Sequence, residues 1–382
     1  AGKEGQRARD DGDAVIITQI GHFNVQLRDP SLDYPIFRSE SIESLARQLA
    51  MDERNAALLS MMGGKPVPDA DYPQDSPQSF PQNLPVSANG GSLAVENFRI
   101  TDDHLGEGGA KTKYGYNVAA IRALKVIEAE GRTATPEEQE ILSRYVGWGG
   151  LPNAFDESKE DWKKEYAELK SLLTPEEYDM ARASTLNAHY TSPTVIRAIY
   201  DAVESMGFRT GNVLEPSCGV GNFFGLLPES MRGSRLYGVE LDSLTGRIAQ
   251  LLYPKANITI SGFEKTNRQD FFDLAIGNVP FGSYKLNDRR FNAHNFLIHD
   301  YFFAKALDQV RAGGVIAFIT SKGTMDKASP DVRRYIAERA ELLGAIRLPN
   351  NAFKANAGTE VTSDILFLQK RDRRWRCWAR GT

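Results

Sequence analysis

Apolar and polar positions change rhythm three times along the chain. Residues 13–62 begin with the apolar stretch Ala14-Val-Ile-Ile-Thr-Gln-Ile20 and predict a helix from Ser41, where Ile42, Leu45, Ala46, Leu49 and Ala50 recur at helical spacing. Together they predict a small α+β element over 1–62. From 63 to 92 the periodicity lapses, and Pro66, Pro68, Pro73, Pro77, Pro81 and Pro85 predict an extended or disordered linker that buries no core. Helical spacing returns from about 117 to 184. Val118, Ile121, Leu124, Val126 and Ile127 are expected on one face, while Thr135-Pro136-Glu-Glu and Thr174-Pro175-Glu-Glu each join a capping threonine to a first-turn proline. This predicts a helical domain over 93–185.

After Tyr190 short apolar strands alternate with amphipathic helices. Ser192-Pro193 predicts the start of a helix whose Val195, Ile196, Ile199, Tyr200 and Val203 share a face and which Gly207 ends. Strands are expected at Asn212–Glu215, Arg235–Glu240, Ile258–Ser261, Leu274–Gly277, Gly314–Thr320, Leu343–Arg347 and Asp364–Gln369. That alternation predicts an α/β fold over 186–370, a doubly wound, mostly parallel, Rossmann-like sheet. A basic tail, 371–382, follows.

Composition narrows the classes. The 382 residues exceed what one core usually organises, and 41% apolar with 25% charged residues excludes wholesale disorder, a collagen repeat and a coiled coil. No apolar run approaches the ~18 residues of a membrane span, and the first residues lack a signal-peptide core, so no membrane is expected as a partner. Cys218 and Cys377 are too few for a disulfide framework or a four-thiolate zinc site, which predicts a reducing cytoplasm. The net charge is −4, but Lys370 to Arg380 holds six basic residues and one acid, leaving 40 basic against 49 acidic residues elsewhere. A broad basic face for DNA is thereby excluded. Nucleic-acid contacts are left to local patches, the tail, or a region beyond this chain.

Two stretches carry chemistry. In Val213-Leu-Glu-Pro-Ser-Cys-Gly-Val-Gly-Asn-Phe-Phe224 a strand runs into a loop with Gly219 and Gly221, where glycine serves either a positive φ or the close approach of a ligand. An isolated GxG is an ordinary turn, but the next strand ends at Glu240, about 20 residues on, where a carboxylate accepts bonds from a ribose diol. The pair favours a cofactor bearing adenosine. Because Phe224 stands where GxGxxG needs glycine, a dinucleotide is the weaker reading. The second stretch ends a strand in Asn278-Val-Pro-Phe281. Asn278 and the Val279 carbonyl offer two acceptors to an amino group, Pro280 stiffens the turn, and Phe281 offers a flat face to a planar substrate.

These residues resemble a known family. Glu215-Pro-Ser-Cys-Gly-Val-Gly-Asn-Phe223 looks like the glycine motif of S-adenosylmethionine-dependent amino-methyltransferases, and Asn278-Val-Pro-Phe281 looks like their Asn-Pro-Pro-Tyr/Phe motif. Tyr190-Thr-Ser-Pro193 resembles the segment that precedes the glycine motif in N6-adenine DNA methyltransferases. Leu348-Pro-Asn-Asn-Ala-Phe353 and the last strand are similar to the end of the catalytic domain in type I restriction-system modification subunits. Gly147-Trp-Gly-Gly150 and region 105–185 look like large methylase proteins of phages and integrative elements, often joined to helicase domains.

The resemblance implies S-adenosylmethionine as cofactor and DNA as partner, duplex or distorted and single-stranded, with a recognition or helicase part supplied elsewhere. The chain ends about a dozen residues past its last strand, which leaves no room for a recognition domain at the usual place. Tyr190, Thr191, Glu215, Pro216, Gly219, Gly221, Asn222 and Phe223 would surround the methionine part of the cofactor. Glu240 with Leu241 would hold the ribose, and Gly262 and Phe263 would flank the adenine. Asn278, Val279, Pro280 and Phe281 would hold a flipped adenine, with Asn278 also beside the cofactor. Val279 replaces a usual proline, so a less rigid loop is expected. A protein-glutamine, RNA or small-molecule amino-methyltransferase, and a silent binding module of a mobile-element protein, remain open alternatives.

Other features read as structural. Gly106-Glu-Gly-Gly-Ala-Lys-Thr112 fails the spacing of a phosphate loop, and His294 with His299 lacks the companions of a metal site. Cys218 is expected as a small packing residue, and no metal is expected.

Overall fold

The computed structural model describes residues 15–20, 24–28, 37–41, 96–185, 191–350 and 362–373. The helix expected from Ser41, the linker at 63–92 and most of the basic tail lie outside them.

Helix α1 (Ala110–Glu130) starts at Gly109 and ends at Gly131, whose φ of 62° is the left-handed conformation that closes a helix without a Cβ penalty. Val118, Ile121, Leu124 and Ile127 face the core as expected. Val126 does not: it is 51% exposed, because two residues past Leu124 at about 100° per residue is the far side of the helix. Helices α2 (Pro136–Ser143) and α4 (Pro175–Ser184) both begin with full capping boxes. Thr135 exchanges hydrogen bonds with Glu138, and Thr174 with Glu177. Each box contributes about 1 kcal/mol. Between them lies α3 (Lys163–Leu172), which the sequence pattern does not announce because Leu169 is its only buried residue. Helix α5 (Pro193–Ser205) buries Ile196, Ile199, Tyr200 and Val203, although the Ser192 side chain makes no capping bond.

The strands are β1 (Val15–Ile20), β2 (Asn24–Arg28), β3 (Phe37–Ser41), β4 (Asn212–Glu215), β5 (Arg235–Glu240), β6 (Asn257–Ile260), β7 (Phe272–Asn278), β8 (Val310–Ser321), β9 (Ala340–Arg347) and β10 (Ser363–Lys370). They form one sheet in the order β3-β2-β1-β9-β10-β8-β7-β4-β5-β6. From β6 to β8 every pairing is parallel, and from β8 through β10 to β3 every pairing is antiparallel. The α/β, Rossmann-like sheet expected from the pattern is present, and its antiparallel half is what the pattern could not give. The three N-terminal strands continue this sheet, β1 pairing with β9.

Strand alternation sends Val213, Leu274 and Ile276 to one face and Leu214 and Ala275 to the other. On the first face α6 (Ser243–Leu252) packs beneath the helices of 110–184, which share its apolar core. Arg247 of α6 pairs with Glu128 at 2.8 Å and with Glu177, and Gln139 donates to the Leu251 carbonyl at 3.2 Å. On the second face lie α7 (Ile298–Gln309) and α8 (Asp331–Ala337).

Strand order reverses at β4. The chain builds outward to β6, then returns to place β7 on the other side of β4, and such a switch point opens a crevice beyond the carboxyl ends of the strands.

Candidate active site

The glycine loop sits at that crevice. Gly219 and Gly221 have φ of 56° and 85°. A Cβ on Gly221 would lie 2.5 Å from the ring of Tyr253, so the space this glycine leaves free is taken by the protein's own aromatic ring. Of the two reasons expected for glycine here, the positive φ applies, joined by an internal contact. Glu240 ties the loop to β5. One carboxylate oxygen accepts from the Gly219 N–H at 2.8 Å, the other from the Asp242 N–H at 2.8 Å. Burial pushes the Glu240 carboxyl up to about 7, and the Asp242 charge adds to this.

Glu215 ends β4 with 3% of its surface exposed, and its Oε2 is buried without a hydrogen-bond partner. Burial, and after it the Glu240 charge, pushes this carboxyl well above its usual range. Tyr200, Tyr253 and Cys218, whose own groups are pushed up by burial and by Glu215, are neutral beside it. An uncompensated buried carboxyl costs stability until a cation or donor meets it. The ammonium and sulfonium of S-adenosylmethionine are such groups, so this cradle fits the cofactor that the sequence implies.

β7 brings the second motif alongside. Gly277 has φ of 146°, and a Cβ there would meet Glu215 Cγ at 3.2 Å, so glycine lets β7 pass close to Glu215 just before Asn278. The Ser217 hydroxyl donates to the Asn278 carbonyl at 3.1 Å, joining the glycine loop to the Asn278–Phe281 motif. Val279 is buried, and its N–H donates to the Ile319 carbonyl at 3.1 Å, a bond that proline could not make. The rigidity that valine was expected to forfeit is thus supplied by a hydrogen bond to β8. Pro280 and Phe281 are half-buried, and Phe281 packs against the apolar clusters of both sheet faces.

The structure therefore brings together Glu215, Pro216, Gly219, Gly221, Asn222, Glu240 and Asn278 to Phe281. Leu241 follows Glu240 at the end of β5, an apolar side chain 64% exposed. Thr191 is buried just before α5, and Tyr190 lies outside the described residues. Two of the expected residues carry buried rings, and Gly262 stands just before the second of them. The Phe223 ring lies in the core 6.2 Å from Tyr200, whose hydroxyl donates to the Phe223 carbonyl at 2.8 Å. Phe263 is 3% exposed, its ring 4.9 Å from Phe302.

Gly277 and Ser217 are site residues that sequence reasoning passed over. A strained glycine inside a strand leaves no pattern, and serine in a glycine loop is unremarkable. The turn from Tyr145 to Gly150 is held by Asn117, which accepts from the Val146 N–H at 2.9 Å and donates to the Gly147 carbonyl. Among the described residues no helix is long and apolar enough to cross a membrane.

Comparison with known proteins identifies a family. Residues 176–379 match the N-6 DNA Methylase family. Over 261 residues the chain is 30% identical to the Defense against restriction protein B of Escherichia phage P1, covering 66% of this chain and 10% of that protein. It is 24% identical over 172 residues to the modification methylase CviBIII of Paramecium bursaria Chlorella virus NC1A, covering 42% and 43%. The chain thus spans about a tenth of one relative and less than half of the other. A solved structure assigned as the modification subunit of a type I restriction enzyme from Vibrio vulnificus YJ016 aligns with a TM-score of 0.40 and 20% identity, covering 55% of this chain and 50% of that one.

Proposed function

The chain belongs to the N-6 DNA methylase family, and on that footing we propose that it transfers a methyl group to the exocyclic nitrogen of a DNA adenine turned out of its stack. The family uses S-adenosylmethionine, which supplies a methyl group on a cationic sulfur. Glu215, Pro216, Gly219, Gly221 and Asn222 would hold its methionine end, with Glu240 and Leu241 at the nucleoside.

The chain's own residues then have two tasks. An adenine amino nitrogen is a poor nucleophile because its lone pair is delocalised into the ring. The Asn278 side-chain oxygen and the Val279 carbonyl would accept hydrogen bonds from its two N–H groups, favouring a pyramidal nitrogen with its lone pair aimed at the cofactor. As the N–C bond forms the S–C bond would break, S-adenosylhomocysteine would leave, and the cationic nitrogen would give up one proton to solvent. Phe281 would stack on the extruded base, whose removal from a duplex costs a few kcal/mol and less from single strands. Rate then comes from positioning and preorganised dipoles. Lys285, Arg289 and Arg290, exposed in the loop after Phe281, would meet phosphates. Site recognition by a further domain or subunit belongs to the same proposal.

The observation that carries this reading is the Ser217 to Asn278 hydrogen bond across β4 and β7, which sets the amine-holding motif against the glycine loop. The test is incubation with methyl-labelled S-adenosylmethionine and separate pools of duplex DNA, single-stranded DNA, RNA and protein. Label recovered as N6-methyladenine in DNA supports the proposal. Label in a glutamine amide or in RNA replaces the substrate, and cofactor binding without transfer to any pool makes the chain a binding module.

A further inference from the structure

Two loops flank the candidate site, Gly262–Thr266 after β6 and 283–297 after Phe281, and one buried ammonium holds both. Lys305 of α7 has 0% side-chain exposure. Its Nζ donates to the Glu264 carbonyl at 2.7 Å and to Asp288 Oδ2 at 3.0 Å. The same Oδ2 accepts from the Tyr301 hydroxyl at 2.8 Å, and Oδ1 accepts from the Arg290 N–H at 3.1 Å. The Asp288 carbonyl accepts from the Phe291 and Asn292 N–H groups at 2.8 and 2.9 Å, so this aspartate organises the turn that presents Arg289 and Arg290. One turn further along α7, Gln309 donates to Thr266 Oγ1 at 2.7 Å, and the Thr266 hydroxyl donates to the Phe263 carbonyl at 2.8 Å. Helix α7 is therefore a spine that pins the first loop twice and shares one pin with the second.

A fully buried ammonium is costly, and an apolar side chain would fill the same space more cheaply. What the ion pair adds is geometry. If either loop moves, the buried Lys305 ammonium gives up one of its hydrogen bonds, which ties the position of one loop to that of the other.

We propose that Lys305 is a positioning residue that couples the loops, so that filling the cofactor site tightens the hold of Lys285, Arg289 and Arg290 on nucleic acid. The inference rests on the function proposed above and deepens it. The full chain would be titrated with a single-stranded oligonucleotide with and without saturating S-adenosylhomocysteine, and with S-adenosylhomocysteine with and without the oligonucleotide. The wild type should show coupling on the order of 5- to 50-fold, equal in both directions by linkage. Lys305→Met alone strands the Asp288 carboxylate and could unfold the chain, so the decisive variant is Lys305→Met with Asp288→Leu, which removes both charges. It should keep a cooperative melt and an S-adenosylhomocysteine Kd within about threefold, while its oligonucleotide Kd, whatever its new value, stops responding to S-adenosylhomocysteine, so that coupling falls to within about twofold of unity; Lys305→Arg should restore part of it. Undiminished coupling in the folded double variant, or independent binding of the two ligands by the wild type, overturns the inference. A wild type that binds no S-adenosylhomocysteine overturns the functional reading itself, and this inference with it.

Discussion

Between β4 and β5 the site is made mainly of main chain: glycines at positive φ, N–H groups held by Glu240, and a carboxyl buried by its neighbours. Past β7 it is made of side chains reaching from distant elements, Ser217 to Asn278, Tyr301 and Lys305 to Asp288. The first half has little tolerance for an added atom, since its shape is the backbone's own. The second tolerates bulk better and depends on which groups hydrogen-bond. On the function proposed above, the former would hold the cofactor and the latter would receive the nucleic acid.

The largest expected effect separates the halves by function. Asn278→Ala should lower methyl transfer by on the order of 10²-fold or more while S-adenosylhomocysteine affinity, read by calorimetry, stays within several-fold. Transfer at the wild-type rate would remove Asn278 from the reaction.

The next compares the halves by stability. Gly221→Ala forces a side chain to φ of 85° and against Tyr253, and should cost roughly 2–4 kcal/mol with loss of cofactor binding. Val279→Pro deletes the bond to Ile319 and trims a buried side chain, and should cost about 1–2 kcal/mol, partly offset by a stiffer unfolded chain. Urea unfolding of both variants measures the difference. Equal losses would erase the contrast.

The smallest effect concerns pH. Glu240 is raised from an ordinary 4.5 to about 7, so folding takes up a proton there between those values. Its contribution to the stability of the empty protein is fully present below pH 4.5 and lost as pH rises through about 7. Cofactor affinity should move the other way, strengthening less than tenfold from pH 6 to 8 as the carboxylate forms. Calorimetry and melting curves for the wild type and Glu240→Gln test this: both trends should flatten in the variant. A wild-type affinity that does not change with pH would mean that Glu240 does not meet the ligand.

The backbone-made half was legible. Glycine spacing, the acid ending β5 and the strands Asn212–Glu215 and Arg235–Glu240 stand where the sequence puts them, because short parallel strands and tight loops leave local marks. The capping boxes of α2 and α4 were equally readable. The side-chain-made half was not. Lys305 lies 41 residues from Glu264 and 17 from Asp288, and nothing in a helix's periodicity says that a buried lysine is paired with either. Phe223 shows the opposite case: its place in the motif is local, but its ring direction is set by packing against Tyr200.

Strand β10 has a consequence in time. It lies between β8 and β9, yet it is synthesised after both, and neither of its neighbours pairs with the other. At roughly 5–20 residues per second on the ribosome, the nascent chain passes seconds with β8, including the apolar Val315–Ile319, as an open edge. An open apolar edge is a template for pairing with other chains. Assembly of this sheet therefore ends in its interior, and any delay between residues 321 and 370 lengthens the interval in which a chaperone is needed or aggregation begins.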